Sequence, residues 1–383
     1  MGKSTRSRSQ KSQDTDKLGT VTIDQDGDLT LSVGTRVVGL DEQPCKFKVD
    51  SSALRRTSAV FKAMLFGPWA ESKPTDGSEW VVELPEDDPD GFQVILSIIH
   101  SAYYLIPTAM NKLLLYKILV LCDKYDMDQV LAPWAQSWLS AVADQAKHQF
   151  KEDKPSADPL MTFIAWHLGD ETLYAEEVRK MILCSYLNPV EDGHLFVHCW
   201  RHDRNLSNED HLGPPDLLER IAKIRLELIT DILLHVRQEI EPRKEERPNP
   251  VYYGARATPT FNCKFDPQSF TYNFSNRDRR LCGDVILGGI WRRIMASPKL
   301  KLLDLEQPKA VCLDVASLLA ACTDIFQGIQ NLDRHEKCNP KEKFMVFVQN
   351  CKKGLAENGS FVEPEDRTRM AEQRKRFKVA GPD

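Results

Sequence analysis

The chain has 383 residues, of which 42% are hydrophobic and 28% are charged, and its formal net charge is −5. This composition is typical of a globular protein, and at about 150 residues per domain the length predicts two or three folded parts. The negative charge argues against nonspecific nucleic-acid binding by the whole chain, so no specific nucleic-acid partner is predicted.

Membrane spans and secretion are also disfavoured. The longest apolar run, Ile95 to Ile106, is interrupted by polar residues and is shorter than the about 20 residues that a spanning helix needs. The start, MGKSTRSRSQ, lacks the apolar centre of a signal peptide. Ten cysteines occur without a CxxC pair, which favours reduced thiols over a disulfide framework. We therefore expect a nuclear or cytoplasmic location.

The N-terminal part begins with a polar tail and continues with strands. Residues 1–19 have no apolar periodicity, so a disordered tail is predicted. From Val21, alternating apolar residues and Asp-Gly punctuation predict two or three strands, the last containing Phe47 and Val49. Three- and four-residue steps then predict one amphipathic helix that reaches Met64. Its candidate N-caps are Asp50, Ser51 and Ser52.

A second strand and helix follow, and then a helical hairpin. Val81 to Leu84 predicts a strand, and Asp88 followed by Pro89 is typical of a helix start. Apolar residues at helical spacing recur from Leu114 to Tyr125 and again, after a break at residues 126–128, from Val130 to Leu139. These elements predict an α+β domain over residues 20–145, with a small mixed sheet capped by helices.

Two stretches of this domain resemble the BTB/POZ domain. Its pattern F-x-x-H-x-x-x-L-x-x-x-S-x-x-F-x-x-M/L marks the second hairpin strand and the first helices. The matching residues here are Phe47, Leu54, Ser58, Phe61 and Met64. Asp50 stands where the family pattern has histidine, so no role of that histidine is carried over. The stretch CDKYDMDQVLAPWAQSWL, residues 122–139, is similar to a helix pair of the same family.

The resemblance implies a module for protein-protein contact. BTB/POZ domains form homodimers through the first helix and the N-terminal strand, which would place Leu54, Val60 and Phe61 in or behind that surface. Some members also bind cullin scaffolds as substrate adaptors of ubiquitin ligases. Protein partners, a homodimer and a possible cullin scaffold are therefore the expected partners.

The rest of the chain is predicted to be mainly α-helical. A charged linker at Lys151 to Pro159 precedes a helical domain over 158–240, with an apolar face from Leu217 to Val236. A second linker, Glu241 to Pro250, separates it from a cysteine-bearing helical extension over 251–350. Residues 358–383 are predicted to be a charged tail or frayed helix. This order resembles a fungal group of BTB-domain proteins that carry a cysteine-bearing helical extension with C-x₄-LG-x₆-M and H-x-x-C.

Four residues of the extension are a candidate metal site. Cys263, Cys282, His335 and Cys338 would supply three thiolates and one imidazole to a tetrahedral structural zinc ion. The spacing of His335 and Cys338 lets one loop present two ligands, whereas the gap between the two other cysteines is long. If zinc binds, the four side chains must converge; otherwise they are unligated thiols.

A second candidate, the stretch HLFVHCWRH, is more open to interpretation. In a helix it would align His194, His198 and His202 near Cys199 as metal ligands. In a strand, the same histidines would share a face for packing or solvent contact.

Catalytic motifs are scarce. The sequence contains neither a phosphate-binding glycine loop nor a GxSxG motif, so a noncatalytic protein is expected, with no catalytic residues and no bound cofactor other than the possible zinc. The alternatives are a zinc-stabilised transcriptional regulator and, less favoured, a cysteine hydrolase. A basic run from Arg374 to Lys378 is either a nuclear-import or RNA-contact patch or a solvated charged face, and the second is favoured.

Overall fold

The chain divides into two units by its internal contacts. Unit 1 draws on residues 1–151, 163–171 and 367–383, and unit 2 on 152–162 and 172–366. Both units combine separate stretches, whereas the predicted domains are contiguous; which stretches fold on their own stays a prediction. The computed structural model describes residues 19–37, 43–149, 156–191, 193–199, 202–209, 211–244, 263, 276–301, 303–332, 335–357 and 361–380. The predicted tail, apart from Gly19, and most of both predicted linkers lie outside these residues.

Unit 1 contains a four-stranded mixed sheet. Its strand order is β1-β3-β2-β4. β2 and β3 are an antiparallel hairpin, and each pairs in parallel with an outer strand. Leu29, Leu31 and Val33 are buried, as the period-two pattern predicted, and Ser32 between the last two is buried as well. The strands are β1 (Thr20–Thr22), β2 (Leu29–Val33), β3 (Cys45–Val49) and β4 (Val81–Leu84).

The first helical segment of unit 1 differs from the prediction, because it is two helices. α1 (Ser51–Thr57) ends at Ser58, whose backbone is extended, and α2 (Ala59–Phe66) begins after it. Ser58 accepts a hydrogen bond from the Phe61 N–H and so caps α2. Of the three candidate caps of α1, Asp50 has this role, since its side chain accepts from the Ser52 N–H.

The remaining N-terminal helices follow their predicted starts and breaks. Asp88 caps α3 (Pro89–Ile99) by accepting from the Gly91 N–H, which confirms the predicted helix start. α4 (Lys112–Tyr125) ends at Asp126, which has a left-handed backbone, and a short 3-10 turn leads to α5 (Ala135–Gln149). The two predicted helices are therefore present, but the break between them is longer than predicted, because the second helix begins at Ala135 and not at Val130.

Two distant stretches complete unit 1. They are the end of α6 (Pro159–Leu168) with residues up to 171, and most of α12 (Pro364–Phe377). The segment predicted as a charged tail thus contains a helix, and its Met370 and Phe377 are fully buried. Within the basic run of α12, Arg374 donates to the Gly169 carbonyl and Arg376 pairs with Asp128. The predicted solvated face is therefore modified at Arg374, which is half-buried, whereas Arg376 remains 56% exposed.

Asp128 is a buried polar centre of unit 1. It accepts hydrogen bonds from His167 Nε2 at 3.0 Å and from Gln373 Nε2 at 3.3 Å. Burial alone would raise the pKa of Asp128, but the hydrogen bond and charge of His167, together with hydrogen bonds from Gln373 and Arg376, lower it below its ordinary value.

We predict that Asp128→Asn lowers the stability of unit 1 in a pH-dependent way. A depressed folded-state pKa adds stability above the unfolded pKa of about 3.9, and this contribution is lost as the pH falls through the folded-state value. The difference in unfolding free energy between wild type and variant should therefore shrink as the pH falls below about 4. Urea unfolding of the full chain across this range measures it, and a pH-independent difference would contradict the role of the carboxylate.

Gly169 lies at a close approach between the two added stretches. Its φ of +79° lies in the left-handed region, and a Cβ there would meet the Met370 carbonyl oxygen and lie 2.7 Å from the Arg374 nitrogen. Gly77, also in unit 1, has a φ of +81° but open space around the position of a Cβ. Both glycines therefore have a left-handed backbone, but only Gly169 has neighbouring atoms where a Cβ would lie.

We predict that Gly169→Ala destabilises unit 1 more than Gly77→Ala. Each substitution costs about 1–2 kcal/mol for the left-handed backbone, and Gly169→Ala adds about 1–3 kcal/mol because α12 must move. Chemical unfolding of the full chain, with hydrogen exchange to assign the loss to unit 1, makes the comparison. Equal losses in the two variants would show that α12 does not pack closely at Gly169.

Unit 2 is mainly helical and carries a small antiparallel sheet of order β5-β6-β7. Residues 185–187 lie within the predicted helical domain but belong to β5, because they pair with β6. α8 runs on into the predicted second linker. The elements are α7 (Glu171–Cys184), β5 (Ser185–Asn188), β6 (His194–Val197), β7 (Arg204–Asn205), α8 (Leu217–Lys244), α9 (Asn276–Ala296), α10 (Val315–Gln327) and α11 (Lys341–Glu357).

The core of unit 2 lies among its last four helices. Buried apolar residues of α8, α9, α10 and α11 form one cluster, which includes Ile232, Ile290, Phe326 and Phe344. The predicted apolar face of α8 contributes to this cluster, and its residues there are mostly spaced three or four apart in the sequence. Among the described residues, no helix has the length and hydropathy to cross a membrane.

A buried arginine of α8 fixes the chain that enters α10. Arg225 donates to the carbonyls of Ser185, Val311 and Leu313. Desolvation lowers the pKa of Arg225 to about 10. Asp314 then caps α10 by accepting from the Ser317 N–H. Helices α8 and α10 are therefore held in a defined relation by polar contacts as well as by the apolar core.

Candidate metal centre

The four predicted metal ligands come from three places in unit 2. Cys282 lies in α9, whereas His335 and Cys338 lie in the connection between α10 and α11. These three residues are buried, and Cys263 is half-buried. Two of the cysteines, Cys282 and Cys338, also belong to the apolar cluster of unit 2, so the group lies at the edge of the core.

A tight turn explains why one loop presents two of the ligands. The Cys338 N–H donates to the His335 carbonyl at 2.9 Å, and the His335 N–H donates to the Leu332 carbonyl at 3.0 Å. Asn339 then donates to the Ile329 carbonyl and anchors the loop to the end of α10. The predicted pairing of ligands on one loop is therefore present.

The ligand atoms of the four residues converge. They all lie within 4.8 Å of one another. The Cys263 sulfur is 3.4 Å from His335 Nδ1 and 3.8 Å from the Cys338 sulfur, which is itself 3.8 Å from the same Nδ1. A tetrahedron with Zn–S bonds of about 2.3 Å and Zn–N bonds of about 2.1 Å has edges of about 3.8 Å between sulfurs and about 3.6 Å between sulfur and nitrogen. The three separations among Cys263, His335 and Cys338 match these edges to a few tenths of an ångström, and Cys282 completes the group within 4.8 Å.

At these separations the sulfur atoms are not bonded to one another and are close enough to share one cation. A disulfide would need sulfurs about 2.05 Å apart, and none of the three cysteines is in a disulfide. Desolvation, with the neighbouring Cys338 and Cys263 sulfurs, raises the pKa of Cys282 above its ordinary value. A divalent cation would offset the repulsion among the thiolates. The group could therefore hold a metal ion, and its three sulfurs and one imidazole nitrogen suit zinc.

The second candidate, in HLFVHCWRH, is organised differently. His194 begins strand β6, so the helical alignment of the histidines is wrong. His198 stacks on Tyr186 with ring centres 4.5 Å apart, and its Nδ1 lies 3.0 Å from an Asp203 carboxylate oxygen. Among the described residues, His194, His198, His202 and Cys199 do not form a group that could hold a metal. The structure favours the packing alternative here.

Comparison of the chain with protein-family models, curated proteins and solved structures finds no match. The case for a metal thus depends on the donor atoms, their separations and their burial.

Proposed function

We propose that the chain is a noncatalytic interaction protein whose unit 1 is a BTB/POZ-like dimerisation module. The observation that carries this proposal is a direct contact between the two stretches that resemble the family. Ser58 donates to the Tyr125 carbonyl at 2.6 Å, and the Phe61 ring stacks on the Tyr125 ring at 4.5 Å. The shared α+β architecture, a small mixed sheet with helices after its strands, supports the same proposal.

Asp50, at the position where the family pattern has histidine, makes two defined contacts. Asp50 caps α1, and its N–H donates to His100 Nε2 at 3.0 Å. His100 Nδ1 lies 2.9 Å from the Leu96 carbonyl, so the ring proton is on Nδ1 and Nε2 accepts. An imidazole from α3 therefore contacts the end of β3, although the residue in the sequence pattern is an aspartate.

The proposed dimer surface consists of α1, α2 and the outer strand β1. Leu54 and Phe61 are fully buried behind it, whereas Val60 is 38% exposed on α2. Phe66 at the end of the same helix is 45% exposed. The exposed apolar groups of α2 and the outer strand β1 each offer a surface that suits a second copy of the chain.

We predict that Val60→Asp weakens the dimer by at least about tenfold, because a carboxylate would be desolvated in the interface. Leu113→Asp is the matched control, since Leu113 is 50% exposed and lies at the start of α4, whereas the opposite end of that helix, at Tyr125, contacts Phe61. Sedimentation equilibrium of the full chain measures the dissociation constant. A monomeric wild type, or equal weakening by both substitutions, would overturn the proposed dimer surface.

For unit 2, we propose that the metal is zinc in a structural role. Four protein ligands complete a tetrahedral site and leave no position for a reactive water. The contact between Cys263 and His335 would also suit a nucleophilic cysteine, but two further sulfurs close to the pair favour a metal. Stoichiometric labelling of Cys263 by a mechanism-based hydrolase probe would support the hydrolase instead.

The substrate-adaptor form of this function predicts a cullin scaffold as partner. Affinity purification of the full chain should then recover a cullin, and recovery should fail for a variant with an unfolded unit 1. For the alternative zinc-stabilised transcriptional regulator, the basic run of α12 would have to contact nucleic acid. Arg374 of this run is engaged with the Gly169 carbonyl within unit 1, which reduces the charge available for that contact.

A further inference from the structure

Unit 2 contains a cavity that the proposed function does not use. Its volume is about 760 Å³, and α7, α8, α10 and α11 line it. This size is within the range of about 300–1,000 Å³ that is usual for small-molecule sites. An empty cavity of about 150 Å³ accommodates benzene, so this cavity has room for a ligand of about 30 heavy atoms.

The walls of the cavity are mainly apolar. Leu228 and Ile232 of α8 face Leu319 of α10 and Val348 of α11 across it, and three of these four residues belong to the buried core. Apolar walls of this kind favour a hydrocarbon tail, because its transfer from water is favourable by about 0.8 kcal/mol per buried CH₂.

Charged groups also line the cavity, and their net charge is positive. Arg179 and Lys352 contribute two cations, and Asp324 contributes one carboxylate. Within the part of the chain that the structure describes, neither cation makes a side-chain hydrogen bond or ion pair. The lining therefore complements a single negative charge, and Asp324 disfavours a dianion such as a phosphate monoester.

We propose that this cavity binds a monoanionic amphiphile of the long-chain carboxylate class. The hydrocarbon tail lies against the α8, α10 and α11 side chains, and the carboxylate pairs with Arg179 and Lys352. A planar carboxylate suits the guanidinium fork of arginine, which can donate two parallel hydrogen bonds. The site is separate from the metal ligands and from the dimer surface, so its test is independent of both.

Calorimetric titration of the full chain with dodecanoate tests the proposal. We expect saturable binding of one dodecanoate per chain, and at least about tenfold weaker binding of dodecyltrimethylammonium, which has the same tail and a cationic head. Arg179→Gln and Lys352→Gln should each weaken dodecanoate binding about tenfold. Lys353→Gln is the matched control, because this exposed neighbour on α11 does not line the cavity; it should bind dodecanoate as the wild type does.

A second variant tests the cavity itself. Ala320 lines it and is exposed, so Ala320→Trp would place an indole in the cavity without removing core side chains, and should abolish binding. Circular dichroism and thermal melting establish that each variant is folded; if Ala320→Trp is not, the two glutamine variants decide. Absence of saturable dodecanoate binding, or binding that both glutamine variants leave unchanged, would overturn the proposal.

Discussion

Cys338→Ser is expected to remove about one zinc ion per chain and to lower the unfolding free energy of unit 2 by on the order of 4 kcal/mol. A serine hydroxyl stays protonated at neutral pH and is a poor zinc ligand, so three ligands would remain. The effect should be large because the metal would tie Cys263 and α9 to the loop between α10 and α11. Zinc binding also couples to folding, since an unfolded chain does not preform the site.

Two further cysteines separate loss of zinc from loss of a thiol. Cys322→Ser alters a buried thiol of α10 outside the group, and Cys312→Ser alters an exposed one. Both variants should keep the zinc, and only Cys322→Ser should lose some stability. Elemental analysis and thermal unfolding of the purified full chain make the measurement. Metal-free wild-type protein whose stability zinc does not change would leave the four residues as unligated side chains.

Local signals were sufficient for much of the fold. Asp88 before Pro89, the alternation in β2 and the apolar steps of α4 and α8 each specify an element through neighbouring residues, and the structure has these elements where they were predicted. Likewise, the spacing of His335 and Cys338 predicted a loop with two ligands. In each case the physical cause lies within a few residues of the signal.

Where the prediction was wrong, distant residues decide the structure. Apolar spacing continues from Leu54 to Phe61, so nothing local required the helix to break at Ser58; the hydrogen bond to the Tyr125 carbonyl accompanies the break. Strand β5 follows directly on α7 because β6 pairs with it. The place of α12 in unit 1 likewise depends on contacts with Asp128 and Gly169, more than 200 residues away in the chain.

The metal ligands and the cavity also depend on residues that are distant from one another in the sequence. Residue types identified Cys263 and Cys282 as candidate ligands, but their approach to the loop depends on tertiary structure: the packing of α9 places Cys282, and Cys263 comes from a separate stretch of the chain. No sequence pattern indicated the cavity, because its lining comes from four helices and mixes ordinary core residues with two cations. Such a site exists only through tertiary packing.

Phe61→Ala is expected to lower the unfolding free energy of unit 1 by about 3–5 kcal/mol. The ring is fully buried, stacks on Tyr125 and meets the edge of Phe92 at 6.4 Å. Its removal costs the transfer energy of the ring and leaves a cavity beside Tyr125, whose hydroxyl donates to the buried carboxylate of Asp87. Loss of packing at this point therefore also loosens a buried polar contact.

The adjacent residue provides the control for this substitution. Lys62 is exposed on the same helix, so Lys62→Ala should change stability by less than about 0.5 kcal/mol. Urea unfolding of the full chain gives both values, and hydrogen exchange assigns the loss to unit 1. Similar small losses for both variants would mean that Phe61 is not a core residue. They would also remove the contact with Tyr125 on which the BTB/POZ-like proposal for unit 1 depends.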